Sequence, residues 1–90
     1  MFAVNTIRDW HQIAVEMLLT DADLALQSIA CLLAGDDEQA VARIVSNTRE
    51  TYDMIRAKRK NLAMSATDTA ALDEKMDRLR ARLRFMGEAV

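Results

Sequence analysis

Between Ile7 and Leu33 the chain has no proline and no glycine, and its apolar residues recur around most of a helical circumference. At 100° per residue, Gln12, Asp23, Glu16, Gln27 and Asp9 fall in one narrow sector. Ile13, Leu24, Met17, Trp10, Leu32, Ile7, Leu18, Ile29, Leu33, Val15, Leu26 and Leu19 occupy the rest. The apolar arc covers roughly 240°, against the ~100° that one packed face needs. A helix of this kind either sits at the centre of a bundle or buries a second face against another molecule.

Ninety residues make one domain. A chain of that size hides only about 60–65% of its extended surface, so a disulfide, a metal or self-association commonly adds to its stability. Cys31 is the single cysteine and His11 the single histidine, which excludes an internal disulfide and a Cys/His zinc site within one chain. Self-association is what remains. The absence of proline, the two glycines and the many Ala, Leu, Arg, Glu and Met residues favour an all-α chain. A net charge of −2 does not mark the whole chain as a polyanion binder. The start, Met1-Phe2-Ala3-Val4-Asn5, lacks a basic region followed by an apolar one, and Glu16, Asp21 and Asp23 argue against a membrane span. A cytoplasmic location with no membrane partner is expected.

Local signals divide the chain into an apolar N-terminal segment over 5–34 and an antiparallel hairpin built from 37–63 and 67–87. Asn5 is the expected N-cap of the first helix. Thr20-Asp21-Ala22-Asp23 resembles a capping box, with Asp in place of the usual Glu, and predicts a break or kink there. Gly35 is the expected stop, and Asp36 or Asp37 the cap of the next helix. In that helix Val41, Ile44, Val45, Thr48, Tyr52, Ile55 and Leu62 follow three- and four-residue steps. Ser65 or Thr67 caps the last helix and Gly87 ends it. There Leu72, Met76, Leu79, Leu83 and Met86 step by four and three, the narrow seam of coiled-coil packing.

Folding the last two helices together about residue 65 sets Ile55 near Met76, Tyr52 near Leu79, Thr48 near Leu83 and Val45 near Met86. The same register brings Arg56, Lys58 and Lys60 beside Asp73, Glu74 and Asp77. It brings Glu50 and Asp53 toward Arg78, Arg80 and Arg82. Apolar and charge patterns thus favour one pairing. The fold class expected is all-α: an antiparallel helical hairpin plus a kinked or split N-terminal segment, a dimeric three- to four-helix bundle.

Few residues carry recognisable chemistry. Arg56, Lys58, Arg59, Lys60 and Arg78, Arg80, Arg82, Arg84 form two basic clusters that could contact phosphate or another anion. Each also lies in the C-terminal part of a helix, where cations complement the macrodipole, and no aromatic residues interleave for base stacking. A helix-turn-helix over 24–48 would open its recognition helix with Asp36, Asp37 and Glu38, which oppose phosphate. His11 has no partner at a ligand or phosphorelay spacing, so a surface or interface role is expected. Cys31 reads as a buried small hydrophobe. No Gly-rich phosphate loop, Ser/His/Asp set or paired acids in a cleft can be picked out, and the first helix offers only Arg8 as a cation for a small helical enzyme. No cofactor, metal or small-molecule substrate is expected. The six methionines suit either core filling or an adaptable partner surface.

These features point to a non-enzymatic helical interaction module, such as an adaptor, a small chaperone or a protein inhibitor, that acts as a homodimer or on another protein. Its expected interface is Ile7, Trp10, Ile13, Met17, Leu24 and Leu32, with Trp10 as anchor. The alternative is a nucleic-acid-binding regulator using the basic clusters or the 24–48 segment.

Overall fold

The computed structural model describes residues 2–32 and 35–90, and side chains from Trp10 onward. Its elements are α1 (Phe2–Ala30), α2 (Glu38–Arg59) and α3 (Ala66–Phe85), with no strand among the described residues. The molecule measures 55 × 20 × 18 Å, so the three helices lie lengthwise against one another.

Helix ends follow the local chemistry of the sequence in most places. Asp37 caps α2 in extended conformation and accepts from the Gln39 amide at 3.1 Å. Ser65, not Thr67, caps α3, with its hydroxyl accepting from the Asp68 amide at 3.1 Å. Gly87 takes φ 93°, the left-handed region, while Glu88 N–H donates to the Leu83 carbonyl at 2.9 Å and Gly87 N–H to that of Arg84 at 3.0 Å. That is the paired hydrogen-bond closure of a helix whose next residue must be glycine-like. Gly35 differs. α1 ends before it, at Ala30. Asn5 also differs, lying within α1, because a nucleated helix gains a hydrogen bond with each residue added and runs on through Ala3 and Val4.

The split expected at Thr20–Asp23 is not found. α1 continues through it as one helix. The reason lies in packing: Val15, Leu18, Ala22, Ala25 and Ile29 step by three and four along one line and are all buried. Breaking the helix at residue 20 would turn Val15 and Leu18 away from Ala22 and its successors. Asp21, whose charge a continuous helix partly buries, is half-buried, and Asp23 on the polar side pairs with Lys75 of α3 at 2.6 Å. Ala22 and Ala25, both small, are buried in the core at the middle of α1.

α1 packs against both α2 and α3, and more extensively against each than they do against one another. The core is accordingly a three-way one. Leu18, Ala22, Ala25 and Ile29 meet Tyr52 and Ile55 of α2 and Leu72, Met76, Leu79 and Leu83 of α3. Five of these side chains, Ala22, Ile55, Leu72, Leu79 and Leu83, are wholly inaccessible to solvent. Burial of the four larger ones stabilises by about 1.5–3 kcal/mol per side chain before entropy is counted. The hairpin register matches the sequence reading: Arg59 pairs with Asp73 at 2.6 Å, and Val45 and Met86 share one groove. The cross-hairpin pairing of Glu50 and Asp53 with Arg78, Arg80 and Arg82 is not formed. Asp53 binds Arg49 at 3.1 Å and Arg78 binds Glu74 at 2.8 Å, each one turn away on its own helix. Such i, i+4 pairs need no precise interhelical geometry.

Candidate functional site

Three groups of residues are candidates for function, and the fold treats them differently. The first is the expected apolar interface. Trp10, Ile13, Met17 and Leu24 are 67%, 43%, 58% and 55% exposed. They lie on the side of α1 turned away from the buried line Val15–Ile29. Cys31 continues the seven-residue step Trp10, Met17, Leu24, and it too is exposed, contrary to the expectation that it is buried. Leu32 departs from the expected interface: it packs against the core, because the chain turns inward after Ala30. The side chain of Ile7 lies outside the described residues, as does Leu33. The wide arc read from the sequence is therefore two faces of one helix, an inner one that forms the core and an outer one that is left exposed among the described residues.

His11 fixes the depth at which α1 enters the bundle. Its ring Nε2–H donates to the Ala63 carbonyl in the turn between α2 and α3. Helix N-terminal to that contact, from Phe2 to Trp10, extends past the turn by about 13 Å at the α-helical rise. Trp10, the chain's single tryptophan, thus sits where α1 leaves the hairpin. No sequence signal gave this; it depends on the relative lengths of α1 and the hairpin.

The second group is the basic residues. Arg56, Lys58, Arg59 and Lys60 lie at the C-terminal end of α2, and Arg78, Arg80, Arg82 and Arg84 at that of α3. The helices are antiparallel, so the clusters sit toward opposite ends and make no continuous stripe. Several members are engaged within the chain. Arg59 holds Asp73, Arg78 holds Glu74, Arg56 lies over the Tyr52 ring at 5.7 Å, and Arg84 Nε–H donates to the Val90 carbonyl at 2.7 Å. Lys58, Lys60, Arg80 and Arg82 remain solvent-facing.

The third is the 24–48 segment. α1 and α2 run antiparallel along their length, as shown by Leu18 sharing a groove with Leu62 and Ser28 one with Ile44. A helix-turn-helix unit crosses its two helices steeply, so this segment does not form one.

Phe85 is a feature the sequence reading missed. It is 79% exposed on α3, beside a groove of about 530 Å³ lined by Leu26, Ala30 and Ala81 with Arg78 and Arg82 at its rim. Its position one step off the Leu79–Leu83–Met86 seam could have revealed it. Among the described residues, no three of His, Cys, Asp and Glu gather as metal ligands, and no helix is long and apolar enough to cross a membrane. Compared with protein-family models, curated proteins and solved structures, the chain matches none of them.

Proposed function

We propose that this protein is a small non-enzymatic interaction module, an adaptor, small chaperone or protein inhibitor in kind, whose working surface is the outer face of α1. One observation carries the reading: Trp10, Ile13, Met17 and Leu24 stand in a row on a helix whose opposite face already forms the core. Large apolar side chains in a row on a monomer's surface mark a binding site more often than scattered ones do. α2 and α3 act as the support that holds α1 straight.

A second copy of the chain is one occupant of this face, giving the homodimer. The four exposed side chains offer on the order of 500 Å² between them, less than the ~800 Å² per partner of a standard interface. That area suits one docked helix better than a stable dimer.

The test compares wild type with the triple variant W10A/M17A/L24A in affinity capture from the native host. Circular dichroism should show equal helicity, because all three positions are exposed. Proteins held by wild type and lost by the variant support the reading; identical sets reject it. Sedimentation at high micromolar concentration reports the dimer directly.

A further inference from the structure

The outer face of α1 is also one wall of a seam. On its α2 side two grooves meet at Asp21. One, of about 140 Å³, is lined by Ala14, Met17, Asp21, Lys58 and Leu62. The other, of about 260 Å³, is lined by Asp21, Leu24, Ser28, Ile44, Asn47 and Thr51. Met17, Asp21, Leu24 and Ser28 follow one line of α1, so the seam carries a carboxylate between two large apolar side chains.

Asp21 is half-buried and takes part in no hydrogen bond or ion pair among the described residues. This contrasts with Asp23, two residues on, which Lys75 holds. One cation, Lys58, lines the seam beside Asp21 without pairing to it. In sequence the rest of α1 carries Asp9, Glu16 and Asp23 against Arg8, and of these Asp23 is neutralised by Lys75.

We propose that this seam docks a single amphipathic helix of another protein, with a Lys or Arg at the middle of that helix's apolar face. The inference rests on the reading of α1's outer face as the working surface. Met17 and Leu24 are two turns apart, about 10.5 Å, so a helix lying along α1 presents apolar residues to both at i and i+7. The residue between them then meets Asp21. Covering a carboxylate with an apolar or acidic residue leaves a desolvated charge, whereas a cation there gives it a charge-assisted partner. Asp21 thus selects among helices that Met17 and Leu24 would accept alike. A second copy of α1 brings acids against acids and is the poorer occupant.

Two synthetic helical peptides of about five turns test this. They share a leucine seam and a neutral Gln/Ser outer face, and differ only in Lys or Glu at the central seam position. Labelled-peptide anisotropy reads their binding to the full chain. The Lys peptide is expected to bind at least ~10-fold more tightly than the Glu peptide, as a charge-assisted contact predicts. D21N should remove most of that preference and D21K should reverse it. M17E/L24E adds acid but removes apolar surface, so it should weaken the Lys peptide; tighter binding would mean bare charge attraction and overturn the proposal. Equal binding of both peptides, lost in M17A/L24A, overturns the role of Asp21 while the working face stands. A dimer that neither peptide opens does the same, with a second copy as occupant. Binding of neither peptide to a monomer, together with unchanged host capture by W10A/M17A/L24A, rejects both.

Discussion

Lys75 on α3 donates to Asp23 on α1 at 2.6 Å, joining helices whose contact residues lie far apart in the chain. The pair fixes where along α3 the middle of α1 rests, and it does so through the segment that local signals read as a break. Its side chains are 28% and 49% exposed, so solvent screens much of the attraction. K75M or D23N should each lower stability by about 0.5–1 kcal/mol in low salt, and by less in 0.5 M salt. A double-mutant cycle in urea checks this; a coupling unchanged by salt would contradict a screened surface pair.

Proline at position 21 separates a continuous α1 from a split one. Were Thr20 an N-cap, Asp21 would be the first helical residue, where proline is welcome. In a continuous helix the same change removes a hydrogen bond and clashes with the preceding turn. D21P should therefore cost about 3 kcal/mol or more, or abolish folding. Thermal unfolding near the wild-type midpoint would show that α1 can break there.

Packing predicts opposite results for two large residues of α3. L79A empties the centre of the three-helix contact and should cost about 2–5 kcal/mol. F85A removes a side chain that projects into solvent and should stay within about 0.5 kcal/mol of wild type. Chemical denaturation reads both.

Ala22 is wholly buried where α1 meets the other two helices, so a larger side chain there has to displace its neighbours. A22L should destabilise by about 1–3 kcal/mol despite the better hydrophobicity of leucine. M17L, on the outer face of the same helix, should be near neutral.

The ends of α3 are testable apart from its packing. S65A should cost about 1 kcal/mol through loss of the bond to the Asp68 amide. G87A should cost a comparable amount, because φ 93° strains any residue with a Cβ. Helicity and melting temperature together check these, since fraying at either end lowers both.

The sequence alone determined the helices, most of their caps and the pairing of α2 with α3. Those follow from short-range rules: a 3.6-residue period, a side-chain oxygen ahead of an exposed amide, a glycine where φ turns positive, and complementary spacing on the two helices of one hairpin. It also placed Trp10, Ile13, Met17 and Leu24 on one side of the first helix. Only tertiary packing decided that α1 stays whole through Thr20–Asp23. Lys75 and the buried Ala22 and Ala25 lie on or against other helices, and a local capping signal cannot sense them. Packing likewise sorted the broad apolar arc into a buried line and an exposed row, and drew Leu32 into the core while leaving Cys31 outside. A helical wheel records how many residues are apolar, but which of them meet water depends on where the other two helices lie.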